Sequence, residues 1–229
     1  MPQVRAVFFD AGGTLFRERT SRAAIYCEVA RRHRIDVTES AMAAAMAATH
    51  AELPVRFAGA YRYSRPWFER FIAEVFARVG HSKPSRTLAP ELFARFASAE
   101  TFRVFDDVPE ALDRLAADGV LLGVVSNWSE RLVELLEKLG LARRFAVVAA
   151  SVSEQLEKPD PAIFRRALAR ARVTPGEALH VGDDPEKDVA GAKAAGIDGV
   201  LLDRARTQTG FRGRRIATIA ELPALLAAR

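Results

Sequence analysis

Hydrophobic positions along the chain follow two different patterns, and the change between them divides the sequence. Between about Thr20 and Ser98, four segments carry apolar residues at three-to-four spacing, which predicts helices almost throughout. The segments are SRAAIYCEVARRH, TESAMAAAMAATHAEL, RPWFERFIAEVFARVG and APELFARFASA. Ser21 and Thr38 stand where helix N-caps are expected, and Pro66 stands near the start of the third helix. This part of the chain is therefore predicted to form a helical block.

From about Thr101 onwards, short continuous apolar runs alternate with amphipathic segments. The runs VLLGVVSN, FAVVAAS, EALHVGDD and DGVLLD predict buried strands, and the segments between them predict helices. Such alternation is typical of an α/β fold in which helices cover both faces of a parallel sheet. The first apolar run, Val4–Phe9, belongs to this half, so the helical block is an insertion after the first strand. We therefore predict a core domain formed by residues 1–16 and 99–229 and an inserted helical domain formed by residues 17–98.

Composition places the chain among ordinary globular proteins. It has 229 residues, of which 49% are hydrophobic and 28% are charged. No apolar run approaches the ~20 residues that cross a bilayer, and the first residues do not follow the pattern of a signal peptide. The single cysteine, Cys27, excludes an intramolecular disulfide and fits a reducing compartment. We therefore expect a cytoplasmic protein, a monomer or a homodimer, that has no membrane partner.

The net charge of +5 comes mainly from arginines, which occur in separate clusters along the chain. The clusters are RRHR at residues 31–34, Arg143–Arg144, and FRGRR at residues 211–215. Nucleic-acid binding would need these clusters on one face with aromatic residues between them. Because they are scattered along the chain, they indicate solvated surfaces and no nucleic-acid partner. A positive field also favours the recruitment of small anionic substrates.

Chemically active side chains stand at the ends of several predicted strands. Each has a plain structural explanation by itself, because acids and hydroxyls also cap helices. In a parallel sheet, however, functional sites form at the carboxyl ends of the strands, so these side chains are expected to meet in one cleft. They are Asp10, Ser126, Asn127, Asp183 and Asp184 at strand ends, Lys158 in a later loop, and Asp188 one helical turn beyond Asp184.

This set of residues suits phosphoryl transfer. Asp10 can act as a nucleophile that accepts a phosphoryl group. Asp10 and Asp183 supply the hard oxygen ligands that Mg²⁺ prefers, and either Asp184 or Asp188 can complete or support the metal site. A hydroxyl group and a lysine can hold the oxygens of the transferring group and stabilise their charge.

Four sequence segments resemble the motifs of the haloacid dehalogenase superfamily, in the subfamily that inserts a helical cap after the first strand. They are VFFDAGGTLF, GVVSNW, EKPDPAIF and HVGDDPEKDVAGAKAAG, in that order. The resemblance implies a Rossmann-like core, a mobile four-helix cap, a small phosphorylated substrate and Mg²⁺ as cofactor. By motif it implies that Asp10 and Lys158 are catalytic. It implies substrate binding by Thr14, Ser126, Asn127 and Lys158, and metal binding by Asp10, Gly12, Asp183 and Asp188.

The first motif departs from the family at Gly12, where the family's phosphatases usually carry the aspartate that protonates the leaving group. Glycine keeps the backbone carbonyl as a metal ligand but removes an acid/base group, which typically contributes about 10²–10⁴-fold to rate. A phosphatase would then favour good leaving groups, as in acyl or aryl phosphates, or recruit another acid. Candidate acids are Glu18, Asp184, His33, His50 and His81. On this basis Gly12→Asp is expected to raise activity toward alkyl phosphates.

Three alternatives remain open at this stage. The resemblance also extends to 2-haloacid dehalogenases, which need neither metal nor the second aspartate but lack the acid found here at Asp183. Phosphonate hydrolysis in this superfamily uses a cap lysine, for which Lys83 is the one candidate. A phosphate-binding protein of low activity would also fit Gly12.

Trp128, which follows Ser126 and Asn127, suits either a wall of the cleft or packing at the start of a helix.

Overall fold

The computed structural model describes residues 3–82 and 86–227. Its strands are β1 (Ala6–Phe9), β2 (Phe16–Glu18), β3 (Arg56–Phe57), β4 (Ala60–Tyr61), β5 (Phe102–Val104), β6 (Leu121–Ser126), β7 (Val147–Ala150), β8 (Ala178–Gly182), β9 (Asp198–Leu202) and β10 (Arg214–Ile216). Its α-helices are α1 (Arg22–Arg32), α2 (Glu39–Glu52), α3 (Arg65–Arg78), α4 (Leu88–Arg95), α5 (Val108–Ala117), α6 (Leu132–Lys138), α7 (Ser151–Glu154), α8 (Pro161–Ala171), α9 (Gly191–Ala194) and α10 (Leu222–Ala227). A π-helical turn, Pro185–Ala190, leads into α9.

The chain divides into two compact units. The first comprises Met1–Arg17 and Val104–Arg229, and the second comprises Glu18–Arg103. The first unit contains a six-stranded parallel sheet in the order β10-β9-β8-β1-β6-β7, with helices packed against it. The predicted α/β fold with a Rossmann-like parallel sheet is therefore confirmed. Within residues 3–82 and 86–227, no helix is both long and apolar enough to span a bilayer.

The position of β1 in the sheet brings distant parts of the sequence to one edge. It pairs in parallel with β6 on one side and with β8 on the other, so that Phe9 lies opposite both Val124 and Val181. Because all three strands run in the same direction, their carboxyl ends lie side by side. The residues that follow β1, β6 and β8 therefore share one rim of the sheet.

Helix α8 illustrates how sequence pattern produces the core of the first unit. Asp160 caps its first turn by accepting a hydrogen bond from the Ala162 N–H, and Pro161 begins the helix. Its apolar residues recur at three-to-four spacing, so one face packs against the sheet. Ile163 and Phe164 on that face are fully buried, and each such side chain stabilises the fold by about 1.5–3 kcal/mol.

The second unit consists of helices α1 to α4, together with a short hairpin. Ser21 and Thr38 cap α1 and α2 as the sequence predicts, each accepting a backbone hydrogen bond three residues on. The helices enclose an apolar core whose largest buried side chains include Tyr26, Trp67 and Phe76.

The sequence did not predict several short strands, which are the pair β2 and β5, the β3–β4 hairpin, and β10. The prediction of helix almost throughout residues 20–98 is wrong at the β3–β4 hairpin, where Ala58 and Gly59 form the turn with positive φ angles of 46° and 80°. Strand β10 arises within the arginine cluster FRGRR and pairs in parallel with β9. Only Ile216 of its three residues is buried, so no apolar run marks it in the sequence.

Candidate active site

The loop between β1 and β2, residues 10–15, holds Asp10 at the rim of the sheet. We call it the nucleophile loop. The Asp10 N–H donates to the Val181 carbonyl at 2.9 Å, which continues the pairing of β1 with β8. The loop then closes on itself, because the Leu15 N–H donates to the Ala11 carbonyl and the Gly13 N–H donates to the Phe16 carbonyl, both at 2.8 Å. Asp10 is only 8% exposed.

A buried lysine lies between two carboxylates at this rim. Lys158 is 3% exposed, and its Nζ lies 2.5 Å from Oδ1 of Asp10 and 2.5 Å from Oδ1 of Asp188. Burial alone would lower the pKa of Lys158, but the two carboxylates raise it above its usual value, so the ammonium form persists. Burial raises the pKa of Asp10, and the charge of Lys158 opposes that shift. Lys158 is therefore placed to keep the Asp10 carboxylate charged.

Asp188 is held in place through both of its oxygens. Besides Lys158, Oδ1 accepts a hydrogen bond from His180 Nε2 at 3.0 Å, and Oδ2 accepts one from the Asp184 N–H at 3.0 Å. Burial would raise the pKa of Asp188, but Lys158 and His180 hold it below its usual range. Because a carboxylate can only accept hydrogen bonds, Nε2 of His180 carries the proton.

His180 was not singled out from the sequence. It is fully buried in β8, with its ring edge-on to Phe164 at 5.0 Å between centroids. Burial lowers the pKa of His180, and the hydrogen bond with Asp188 only partly offsets this, so the imidazole is neutral. The one signal in the sequence was a polar residue inside an otherwise apolar strand.

Asn127 forms hydrogen bonds with the backbone of Lys158, which lies in the loop between α7 and α8. Its Nδ2 donates to the Lys158 carbonyl at 3.0 Å, and its Oδ1 accepts from the Lys158 N–H at 2.7 Å. The neighbouring Ser126 is 2% exposed, and its hydroxyl bonds the Asp10 carboxylate and lowers the pKa of that group. Neither side chain caps α6, which begins later, at Leu132.

Three carboxylates converge at the rim. One oxygen from each of Asp10, Asp183 and Asp188 lies within 4.8 Å of the others. When all four groups are ionised, the three carboxylates and the ammonium of Lys158 together carry a net charge of −2. Asp183 is exposed and makes no salt bridge within the described part of the chain. Desolvation and the charges of Asp10 and Asp188 raise the pKa of Asp183 to about 6.

This donor set fits a hard divalent cation. Mg²⁺ prefers carboxylate, carbonyl and water oxygens, and the excess of negative charge is the electrostatic condition for binding it. The approach of Asp183 to the nucleophile loop depends on Gly13, whose φ is +83° and where any Cβ would collide with the Asp183 carboxylate. A larger residue at position 13 would therefore both strain the backbone and displace a carboxylate.

Gly12 lies beside the ring of Trp128. A Cβ placed on Gly12 would be 2.9 Å from Cζ3 of Trp128, closer than a normal contact between carbon atoms. Trp128 also packs edge-to-face on Phe16, with 5.5 Å between ring centroids and an angle of 87°. Trp128 is therefore part of the wall around the nucleophile loop.

Asp184 and Thr14 lie outside the carboxylate cluster. Asp184 caps the π-helical turn by accepting hydrogen bonds from the Glu186 and Lys187 N–H groups, and it pairs with Lys187 Nζ at 2.7 Å. Thr14 is fully buried, and its Oγ1 has no hydrogen-bond partner among the described residues. Its carbonyl instead accepts a hydrogen bond from Arg204 at 3.0 Å.

Comparison with known proteins agrees with this geometry. The family model described as haloacid dehalogenase-like hydrolase matches residues 4–196. The chain belongs to the haloacid dehalogenase-like hydrolases. Haloacid dehalogenase-like hydrolase domain-containing protein 3 of Danio rerio is 31% identical over 207 residues, which are 88% of this chain and 86% of that protein.

Two solved structures resemble this hydrolase equally well. One is a HAD phosphatase from Thermococcus onnurineus, with a TM-score of 0.71 and 26% identity over 97% of this chain and 98% of that one. The other is a 2-haloacid dehalogenase from Pseudomonas syringae pv. Tomato DC3000, with a TM-score of 0.71 and 26% identity over 99% of both chains. Similarity of fold therefore does not separate the two chemistries, and the side chains at the rim must do so.

Three of the four candidate acids in the second unit of this hydrolase form side-chain contacts within that unit. Glu18 Oε1 accepts from Arg22 Nε at 2.6 Å, and His33 Nε2 lies 2.8 Å from Glu91. His50 Nε2 lies 3.1 Å from the Tyr63 hydroxyl. His81 has no comparable contact among the described residues. The lysine considered for phosphonate chemistry, Lys83, lies outside the described residues.

Arg204 is a supporting residue of this hydrolase that the sequence did not indicate. It follows β9, donates to the Thr14 carbonyl at 3.0 Å, and pairs with Asp107 at 3.0 Å. Its guanidinium lies 3.8 Å from the centroid of the Phe105 ring. Arg204 therefore links the loop after β9 to the loop that carries Asp10.

Proposed function

We propose that this hydrolase is a Mg²⁺-dependent phosphatase of small phosphorylated metabolites that acts through an aspartyl-phosphate at Asp10. The observation that carries the proposal is the convergence of Asp10, Asp183 and Asp188 within 4.8 Å. A halide-releasing enzyme that works without metal has no use for the exposed carboxylate of Asp183. Phosphoryl transfer does, because a dianionic substrate approaching an anionic nucleophile requires a cation between them.

Asp10 would be the nucleophile. One oxygen of its carboxylate attacks phosphorus, and the bond from phosphorus to the leaving oxygen breaks. Lys158, 2.5 Å from Asp10, keeps this carboxylate ionised and adds positive charge beside the transferring group. Ser126 holds the same carboxylate through a hydrogen bond, and Asn127 fixes the backbone that carries Lys158.

The metal would be held by Asp10 and Asp183, with Asp188 beside them and the carbonyl of Gly12 as a further ligand. When bound, Mg²⁺ would neutralise negative charge on the substrate phosphoryl group. Asp188 already accepts hydrogen bonds from Lys158, His180 and the Asp184 N–H, so its main effect would be to orient Lys158.

The leaving group would depart without help from residue 12. Glycine cannot donate a proton, so the substrates favoured are those whose leaving groups are stable as anions, such as acyl and aryl phosphates. General acid catalysis is typically worth about 10²–10⁴-fold, which sets the expected disadvantage of simple alkyl phosphates.

Phosphate release from acetyl phosphate and from 4-nitrophenyl phosphate, measured with Mg²⁺ and with a chelator, tests the proposal. We expect release only with Mg²⁺ and its loss in Asp10→Asn. Asp113→Asn is the matched control, because Asp113 is a surface carboxylate that pairs with Arg144 away from the rim. Equal turnover by Asp10→Asn and the wild type would reject Asp10 as the nucleophile.

A metal-independent 2-haloacid dehalogenase is the second candidate. Gly12 favours it, because a departing halide needs no proton, and one of the similar solved structures is a 2-haloacid dehalogenase. The dehalogenase hypothesis predicts halide release from 2-chloropropionate in the presence of chelator. If neither phosphate nor halide is released, and phosphate protects the fold without being consumed, the chain is a phosphate-binding protein of low activity.

A further inference from the structure

The position where a side chain of residue 12 would lie is filled by the indole of Trp128. A Cβ on Gly12 would lie 2.9 Å from Cζ3 and 3.5 Å from Cη2 of that ring. Favourable contacts between carbon atoms occur at about 3.5–4.0 Å, so a side chain at position 12 and this placement of the ring exclude each other. Gly12 does not have a positive φ angle, so its backbone conformation would accept a side chain. The obstacle to a side chain is the overlap with the Trp128 ring.

Separate contacts hold the backbone and the ring of Trp128. Its backbone N–H donates to Ser151 Oγ at 3.1 Å, and the Ser151 hydroxyl donates to its backbone carbonyl at 3.2 Å, so Ser151 fixes the backbone that carries the ring. Ser151 is fully buried at the start of α7. The indole itself makes a T-shaped contact with the ring of Phe16, which forms a bridge with Gly12 across the nucleophile loop. The missing side chain of Gly12 and the large side chain of Trp128 therefore form one arrangement.

We propose that Trp128 is a specificity-determining residue: its indole occupies the place of an acid at position 12 and presents an aromatic face to the leaving group. This inference rests on the proposed phosphatase function and narrows its substrate class. The preferred substrates are phosphate esters of phenols, followed by acyl phosphates, and alkyl phosphates are poor. An aromatic contact adds roughly 2- to 10-fold for the aryl group.

The bond changes balance without a proton donor at position 12. A carboxylate oxygen of Asp10 forms a bond to phosphorus, and the leaving oxygen departs as a phenolate or carboxylate with the electron pair of the broken bond. Water then forms a bond to phosphorus, and Asp10 departs as a carboxylate. One proton of the water remains on phosphate and the other passes to solvent.

Thermal unfolding tests the steric part of the proposal without reference to activity. Gly12→Ala should lower the Tm by several degrees, about 2–10 °C, because an added methyl group overlaps the ring. In a Trp128→Ala background the same substitution should have little effect. Gly210→Ala is the matched control, because nothing lies within 4 Å of a Cβ at Gly210. An equal loss from Gly12→Ala in both backgrounds would overturn the proposed exclusion.

Substrate ratios test the specificity part. The three probes are 4-nitrophenyl phosphate, acetyl phosphate and benzyl phosphate, which is aromatic but has an alkoxide leaving group. Trp128→Ala should lower kcat/KM for 4-nitrophenyl phosphate relative to acetyl phosphate by several-fold, and Trp128→Phe should restore most of it. Gly12→Asp alone should not improve benzyl phosphate, whereas Gly12→Asp with Trp128→Ala should improve it about tenfold over Trp128→Ala.

The outcomes separate this inference from the proposed function. If no variant and no wild-type sample releases phosphate, the proposed function fails, whatever the unfolding experiment gives. If phosphate is released but the ratio of 4-nitrophenyl to acetyl phosphate is the same with and without the indole, Trp128 does not determine specificity. A gain on benzyl phosphate from Gly12→Asp alone, equal to that of the double variant, would also overturn the inference.

Discussion

The side-chain amide of Asn127 forms hydrogen bonds with both backbone groups of Lys158, donating to its carbonyl at 3.0 Å and accepting from its N–H at 2.7 Å. Asn127 follows β6, and Lys158 lies in the loop before α8, 31 residues away. The pair of bonds therefore fixes the loop to the rim of the sheet. Fixing the backbone fixes the start of the lysine side chain, whose ammonium must reach Asp10.

Asn127→Ala is expected to impair catalysis mainly through the position of Lys158. We predict a decrease of about tenfold or more in kcat on 4-nitrophenyl phosphate, with a smaller change in KM. Leaving the two backbone groups of Lys158 without their partner should also cost about 1–3 kcal/mol in the free energy of unfolding. Ser129→Ala, which removes only a hydrogen bond from the Arg131 N–H, serves as control. An unchanged kcat in Asn127→Ala would contradict the positioning role.

Lys158→Met tests the charge balance of the cluster. Removing the ammonium leaves the carboxylates of Asp10 and Asp188 buried without their shared cation, which typically costs 3–5 kcal/mol, roughly, in unfolding free energy. Lys138→Met is the control, because Lys138 forms an exposed pair with Glu134, and exposed pairs contribute little to stability. Urea unfolding of both variants gives the comparison. Similar losses in the two variants would mean that the buried lysine is not essential to the stability of the cluster.

Asp183 contributes to the effect of pH on the stability of the metal-free protein. The pKa of this carboxyl is about 6 in the folded protein and near its ordinary value of 3.8 in the unfolded chain. Between these values the folded state binds more protons, so stability falls as the pH rises through this window. Asp183→Asn removes the charge and should raise the Tm of the metal-free protein at pH 7.5, and this gain should shrink as the pH falls below about 6.

Mg²⁺ should reverse the same repulsion. We expect Mg²⁺ to raise the Tm of the wild type at pH 7.5, because binding to the folded state alone stabilises it. Asp183→Asn should lose most of this increase. Asp184→Asn should keep it, since Asp184 caps the π-helical turn and does not belong to the cluster. An equal Mg²⁺ response in all three proteins would place the metal elsewhere.

The sequence was sufficient for those features that depend on local pattern. Continuous apolar runs predicted the parallel sheet. Acids at strand ends, such as Asp10 and Asp183, and a lysine in a later loop, Lys158, predicted the residues that meet at the rim. The rim itself follows from parallel strand direction, which a βα alternation requires. Fold class and the gathering of these residues could therefore be derived before any coordinates.

The remaining features depend on packing between distant segments. The sequence shows His180 only as one polar residue in an apolar strand. Its hydrogen bond to Asp188 depends on the packing of β8 against the π-helical turn. The placement of the Trp128 ring against Gly12 could not be predicted from the sequence either, because it depends on the backbone bond from Trp128 to Ser151 and on the ring contact with Phe16. It also changes an expectation from sequence alone, since Gly12→Asp now requires displacement of the ring before it can help catalysis.

A phosphorylated form of the enzyme is expected to accumulate during turnover. Good leaving groups make formation of the aspartyl-phosphate fast, but Gly12 provides no base to activate the water that must cleave it. That missing group is worth about 10²–10⁴-fold, so cleavage becomes the slow step. Mixing with excess 4-nitrophenyl phosphate and Mg²⁺ should give a burst of nitrophenolate close to one equivalent of enzyme. Acid quenching and intact mass should then reveal an added phosphoryl group, absent in Asp10→Asn. Steady turnover with no burst and no added mass in the wild type would mean that another group activates water efficiently.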